Sequence, residues 1–224
     1  MSQDHIFIDV ETSSLDVKTA EIIDIAVIRT DGEGSILASI TDKIKPIKAV
    51  EEGAAKVNGY NERDWQNAVP FNVAIDSIHS SIIRGRTDKF VLVAHFAEFD
   101  RACIETSLSR TNIVQANPFA GRAWIDTAQL AWPLVYNGVI KSRSLAALAK
   151  FYGFENEAEH TASGDAEVMC KTYWAMMGRF KIAQGVERNV RKLGTGMLEG
   201  LVCMVSGFSM NVPSEDESEP SNDE

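Results

Sequence analysis

Ile6-Phe7-Ile8-Asp9-Val10-Glu11-Thr12 alternates branched or aromatic residues with carboxylates, which is the pattern of a buried strand delivering acids to one end. Side chains alternate faces along a strand, so Asp9 and Glu11 point the same way, with Phe7 on their side and Ile8 and Val10 opposite. Buried without a counter-ion, two like charges on one face repel and lose solvation. A shared divalent cation bound through carboxylate oxygens relieves both costs. From Asp-x-Glu alone, acids that face water at a strand end are the commoner arrangement, so the rest of the chain has to decide.

The 224 residues suffice for one domain with a full-sized core, or one domain with an appendage. A composition 45% hydrophobic and 24% charged is that of a soluble globular protein, and no run of about 18 apolar residues suggests a membrane span. Met1 to His5 carries no basic segment and leads into a strand instead of an apolar signal core, so the expected compartment is the cytoplasm. Three cysteines, Cys103, Cys170 and Cys203, stand far apart without CxxC spacing. They are expected to be reduced core residues rather than a disulfide framework or zinc site. The net charge of −10 argues against a nucleic-acid partner only until its distribution is considered. Pro213 to Glu224 holds six acids and no base, which leaves 26 acids against 22 bases before it. If two divalent ions offset four of those acids, the body is near neutral and local basic clusters can meet phosphates.

Along the chain, Glu21 to Arg29 reads as a second strand, and Asp31-Gly32 turns it into a third from Ser35 to Ile44. Val50 to Val57 is expected to be helical until Asn58-Gly59 breaks it, with Asn61 or Asp64 capping a turn near Trp65. Pro70 opens a helix with Phe71, Ala74, Ile75, Ile78 and Ile82 at helical spacing. It ends in a basic patch, Arg84, Arg86 and Lys89, that reads either as a phosphate contact or as cations at a helix end. Phe90 to Ala94 is a strand covered on both faces, followed by His95 to Asp100 and a helix over 101–108. Ala123 to Thr127 is a further short strand. Ser144 to Gly153 and the segment after His160-Thr161-Ala162-Ser163-Gly164-Asp165 are helices, the latter capped by Thr161 or Ser163. We expect one main folded domain over 1–180, a helical extension over 181–212 that packs, dimerises or binds substrate, and a disordered acidic tail over 213–224.

Three separated segments thus place carboxylates at the edges of secondary structure: Asp9 with Glu11, then Asp100, then Asp165 accompanied by His160. The chain here resembles the histidine-bearing branch of the DEDD 3′–5′ exonuclease superfamily (DEDDh). That family includes the proofreading exonuclease subunit of bacterial DNA polymerase III, exodeoxyribonuclease X and oligoribonuclease. Ile6 to Leu15 is similar to its first motif, His95 to Asp100 to its second, and His160 to Asp165 to its third, His-x4-Asp. Three motifs in order, spread over 6–175, are a specific signal where one would be weak.

The resemblance implies an α/β fold of the ribonuclease H-like kind, with a mixed five-stranded sheet flanked by helices. It implies that Asp9, Glu11, Asp100 and Asp165 hold two Mg²⁺ or Mn²⁺ ions with His160 as general base. It also implies that Thr12 and Leu15 flank the terminal nucleotide while His95 and Phe99 line its pocket. Elementary chemistry agrees: hard cations take oxygen ligands, and an imidazole, which titrates near neutrality, can accept a water proton. The expected activity is 3′–5′ hydrolysis of terminal phosphodiesters of single-stranded or frayed DNA to nucleoside 5′-monophosphates, as in proofreading or repair, with an exoribonuclease as the alternative. The expected partners are a single-stranded nucleic acid 3′ end and a DNA polymerase or other replication or repair protein, with no membrane; the oligomeric state stays open. A catalytically idle adaptor would have lost an acid, and all four remain. Departures occur at Phe96, where the family often has Asn, at Ser14, where it often has Gly, and at Asn58-Gly59-Tyr60 in place of His-Gly-Ile. They bear on substrate positioning and leave the acids intact.

Overall fold

The computed structural model of the chain describes residues 3–83, 90–156 and 158–193. Arg84, Arg86, Lys89, Cys203, residues 194–212 of the expected extension and the acidic tail at 213–224 lie outside the described residues. The chain divides into two compact units, 1–176 and 177–224. The first holds every described strand, and the second, where described, is the helical continuation of its last helix to Leu193.

Five strands form one mixed sheet in the order β3-β2-β1-β4-β5: β1 Asp4–Thr12, β2 Ile22–Thr30, β3 Ile36–Lys43, β4 Phe90–Ala94 and β5 Trp124–Asp126. β1 pairs antiparallel with β2 and parallel with β4, so the first three strands form a meander and the last two return by helical crossovers. The helices are α1 Glu52–Asn58, α2 Phe71–Ile78, α3 Ala97–Arg110, α4 Thr127–Leu130, α5 Trp132–Tyr136, α6 Leu145–Tyr152 and α7 Ala162–Leu193. This is the sheet that the sequence predicts. No helix among the described residues is long and apolar enough to cross a membrane.

The two faces of the sheet explain the alternation in β1. Ile6, Ile8 and Val10 join Ile25 and Val27 of β2 in a core closed by Phe71, Ala74, Ile75 and Ile78 of α2 and Cys103, Ile104 and Leu108 of α3. Each Val, Leu, Ile or Phe side chain so withdrawn from water contributes about 1.5–3 kcal/mol. On the other face Phe7 meets Tyr173 of α7 at 5.4 Å between ring centroids, and His5 meets Tyr173 and Trp174 at 5.3 and 4.9 Å. Asp9 and Glu11 share that α7 face, two and four residues beyond Phe7. Because both faces are covered, all nine residues of β2 are buried. The Val168, Met169, Thr172, Tyr173 and Met176 stripe is buried packing.

Two local readings change. The hairpin between β2 and β3 spans 31–35, and Gly34, not Gly32, takes the left-handed conformation at φ 98°. Asp31 organises that loop by accepting the Glu33 and Ser35 amides at 2.9 Å each. The second is α3, which starts at Ala97 instead of the expected residue 101, because Phe96 alone makes the reversal by adopting φ 60°, ψ 50°. Asp100 therefore stands inside the first turn of a helix. Elsewhere the expected punctuation is present: Gly59 and Gly153 end α1 and α6 in left-handed conformations, and Asn61 caps its turn through the Asp64 amide at 3.0 Å. Thr161 caps α7 through the Gly164 amide at 3.2 Å.

Candidate active site at the carboxyl ends of β1, β4 and β5

The parallel strands β1, β4 and β5 end at one edge of the sheet, the edge at which ligands sit in α/β folds. Asp9, Glu11 and Asp165 each present an atom there within 4.8 Å of the others. Asp100 joins them by a different route. β1 pairs with β4 only as far as Phe7 opposite Val93, and beyond that point its edge amides need other partners. The Asp100 carboxylate accepts one of these, the Val10 N–H, at 3.2 Å, which fixes the fourth acid against Asp9. Asp165 rides on the first turn of α7, where its carboxylate accepts the Asn156 side-chain amide at 2.6 Å.

His160 stands two residues before α7, in the left-handed region at φ 63°, with its Nε2 3.9 Å from a Glu159 carboxylate oxygen. Burial raises the Asp165 carboxyl above its ordinary range, and the backbone N–H and ring of His160 oppose that rise. Thr12 is buried, its hydroxyl donating to the Ser14 carbonyl at 2.7 Å. Leu15 is 84% exposed, so its side chain is no part of the core. Phe99 is half-buried against the main core. His95 lies at the end of β4, its Nδ1 2.8 Å from the Thr127 hydroxyl. Burial lowers its pKa to about 4, which keeps the ring neutral.

The acids raise one another. Asp9 is pushed well above the ordinary carboxylate range by burial first, then by Asp100, Asp165, Glu11 and Asp24. Burial, with Asp165 and Asp24, carries Glu11 to about 8. Asp100 is likewise raised, chiefly by burial, while the Val10 amide opposes the shift. Burial also raises Asp165, against the pull of Asn156. An all-oxygen set of crowded acids fits hard divalent cations such as Mg²⁺ or Mn²⁺, whose charge would remove the repulsion. This has a consequence for stability. A group with a raised folded pKa stabilises the fold below its unfolded pKa, and that contribution is lost as pH rises through the folded value. For Glu11 the window runs from about 4.5 to about 8. The metal-free protein is therefore expected to lose several degrees of thermal midpoint between pH 5 and pH 8, about 2–4 °C for each kcal/mol. Mg²⁺ should restore more at pH 8 than at pH 5. Thermal melts in EDTA and in Mg²⁺ at both pH values test this, and an EDTA midpoint that rises toward pH 8 would contradict it.

Two residues here, Asp24 and Asn156, were not singled out in the sequence, and a third, Asn58, entered it only as a helix end and a departure from the family pattern. Asp24 sits directly opposite Glu11 in the β1–β2 register, buried, and is raised to about 6 by burial against the pull of the Ala162 amide and Lys43. Its signal was an acid inside Ile22-Ile23-Asp24-Ile25. Asn156 holds Asp165, and Asn58, from α1, donates to the Thr12 carbonyl at 3.0 Å. Asn58 thus anchors the end of β1 within the first motif.

Comparison with known proteins agrees with this geometry. The family model described as Exonuclease (RNase_T) matches residues 6–173. Ribonuclease T of Actinobacillus pleuropneumoniae serotype 5b is 28% identical over 188 residues, covering 79% of this chain and 84% of its own. Ribonuclease T of Haemophilus ducreyi is 29% identical over 189 residues, with coverage of 79% and 86%. Among solved structures, cell-death related nuclease 4 superposes with a TM-score of 0.68 at 18% identity, over 80% of this chain and 64% of that one. The nuclease domain of 3′hExo bound to rAMP gives 0.64 at 15%, over 80% and 93%. E. coli exonuclease I in complex with a dT13 oligonucleotide gives 0.66 at 19%, over 85% of this chain and 45% of that longer one. With the family model covering most of the chain and the acids of all three motifs gathered at one sheet edge, the chain belongs to the exonuclease family, as a DEDDh-type 3′–5′ exonuclease of the ribonuclease H-like superfamily.

Proposed function

We propose that the chain removes nucleoside 5′-monophosphates one at a time from the 3′ ends of single-stranded nucleic acid, with RNA ahead of DNA. The observation that carries the chemistry is the gathering of Asp9, Glu11 and Asp165 within 4.8 Å, with Asp100 pinned beside Asp9. The order of sugars reverses the expectation from sequence. Relatives that match over most of their own length carry the name Ribonuclease T, whereas the likeness to DNA-bound exonuclease I concerns the fold alone.

In this reading Asp9, Glu11, Asp100 and Asp165 hold two divalent cations, Mg²⁺ or Mn²⁺. When bound, these supply charge that activates a water and stabilises the leaving 3′-oxygen. His160 is the general base. Its exposed imidazole takes the water proton at Nε2, the water oxygen bonds phosphorus, and the bond from phosphorus to the 3′-oxygen breaks, that oxygen taking a proton from solvent. A Glu159 carboxylate oxygen lies 3.9 Å from that nitrogen. Leu15, exposed beyond the buried Thr12, is the apolar surface on which the terminal base rests, with His95 and Phe99 along the same pocket. Stacking of this kind tolerates any base.

The expected setting is the cytoplasm, supported by the free thiols of Cys103 and Cys170. We take residues 1–180 as the exonuclease domain, and a replication or repair polymerase as a partner to be sought through the remainder of the chain. The deciding experiment follows 5′-labelled RNA, single-stranded DNA and duplex DNA of one sequence in Mg²⁺ and in EDTA. A ladder shortening from the 3′ end, fastest on RNA and absent in EDTA, is expected; label released as a mononucleotide at once would mean attack from the other end. His160→Ala should slow hydrolysis by about 10²–10⁴-fold while the Mg²⁺-induced rise in thermal midpoint persists. Wild-type rates in that variant would remove the histidine from the mechanism.

A further inference from the structure

We propose that Phe96, Arg143 and Trp132 form a second nucleic-acid subsite, which grips the single strand on the 5′ side of its terminal dinucleotide by base stacking and phosphate contact. The proposal rests on the exonuclease reading above and extends it to how much of the strand is held.

Phe96 is the first observation. A bulky residue at φ 60° is disfavoured, because the left-handed region suits Gly and Asn. No core packing compensates, since Phe96 is 45% exposed. Strain of this kind, at the end of a strand beside four acids, is where function is to be sought. The Phe96 amide donates to the Asp126 carboxylate at 3.2 Å, so the backbone is held in place while the ring stays outside.

Arg143 is the second, independent observation. Its guanidinium carbon lies 5.5 Å from the Phe96 ring centroid and 4.6 Å from that of Trp132, and its backbone lies against His95. The Nη1 atom is shielded from water and has no hydrogen-bond partner among the described residues. A buried donor left unpaired costs free energy that a bound anion would recover. No carboxylate is paired with this guanidinium among the described residues.

Trp132 is 48% exposed, and Tyr136, one helical turn further along α5, is 87% exposed. Starting at His95 in the candidate site, Phe96 touches its ring at 4.8 Å, and Arg143, Trp132 and Tyr136 follow. This is an aromatic strip with a cation set in it, the composition that tracks a single strand without reading sequence. The 3′ terminus ends at the acids, so a strand continuing along the strip can only be its 5′ portion. A bare cation or a free mononucleotide would use one ring at most, whereas an oligonucleotide uses the strip.

The test compares a dinucleotide with a 12-nucleotide single strand, in wild type and in Trp132→Ala, Arg143→Met and Phe96→Asn. Loss of one stacked base or one phosphate contact should reduce the ratio of kcat/KM for the long over the short substrate by about tenfold. Phe96→Asn separates function from folding: Asn fits φ 60° better, so its thermal midpoint should hold or rise while the ratio falls. A ratio unchanged in all three variants overturns the subsite. So does an equal loss on both substrates, which would place these residues at the terminal nucleotide. Should the wild type hydrolyse neither strand, the exonuclease reading fails by itself. Affinity for the labelled 12-mer in Ca²⁺ then decides the subsite: about tenfold weaker binding in Trp132→Ala supports it, and equal binding ends it.

Discussion

Asp9→Asn is expected to reduce hydrolysis at least a thousandfold, roughly 4 kcal/mol of barrier, while raising the thermal midpoint of the metal-free protein. Both effects follow from one position. Asp9 is the acid with the most acidic neighbours: Asp100, Asp165, Glu11 and Asp24 all raise its pKa, in addition to burial. Asparagine keeps the volume and planar shape of the carboxylate, so no cavity opens and neither β1 nor the Asp100 bond to the Val10 amide needs to move. One negative charge disappears from the cluster and two amide hydrogens replace it, each able to meet a neighbouring carboxylate. Folding gains because like-charge repulsion and a desolvated charge are both removed. Function is lost because the oxygen set that fits divalent cations is broken at its centre. Single-turnover hydrolysis, a melt in EDTA and the Mg²⁺-induced melting shift form the test. The expected result is a dead, stabler protein whose shift with Mg²⁺ is smaller than that of wild type. An active variant, or an inactive one destabilised in EDTA, would mean that Asp9 serves the fold and not the reaction.

How far such a site could be read from the sequence depends on whether its partners are related by a period. Asp9 and Glu11 share a face because the strand period is two, and Phe7 reports that face by packing on Tyr173. The apolar stripe of α2 was legible for the same reason, while the glycine stops of α1 and α6, and a cap for α7 at Thr161 or Ser163, were legible from local end signals. Asp100 and Asp165 came from motif resemblance, and the physics of their placement came only with the structure. Asp100 is useful because β1 outruns β4 and leaves the Val10 amide free, which no local pattern announces. Asp24 needs the β1–β2 register, and that register slips by one residue between Glu11 and Thr12. Asn58 reaches Thr12 across 46 residues, and Asn156 reaches Asp165 from an irregular loop. Asn58 is the last residue of α1 and its partner is set by the fold, not by the helix period, while Asn156 lies on no periodic element. The late start expected for α3 came from reading His95 to Asp100 as a cluster ahead of the helix, whereas Phe96 alone makes the turn and the helix begins at Ala97.

Gly164→Ala is expected to slow hydrolysis by about a hundredfold with every metal ligand intact. The reason is a close approach that only glycine allows. A Cβ at this position would collide with the Ala158 carbonyl oxygen and lie 2.8 Å from its carbon, both main-chain atoms. The Ala158 carbonyl is itself held, accepting from the Thr161 amide at 3.2 Å and the Thr161 hydroxyl at 2.7 Å. Pushing it away strips those bonds and moves a loop with Asn156, the partner of Asp165, two residues to one side and His160 two residues to the other. A base displaced by an ångström from its water loses most of its advantage even though its chemistry is unchanged. Alanine is the better helix former by about 1 kcal/mol, so propensity predicts the opposite sign for stability. Gly178→Ala measures that gain alone, because it lies in the interior of α7 and its Cβ would meet nothing within 4 Å. Gly178→Ala should raise stability by up to about 1 kcal/mol at wild-type rates, and Gly164→Ala should lower both. If the two variants behave alike, the loop does not rest on Gly164, and the placement of His160 beside Asp165 must have another support.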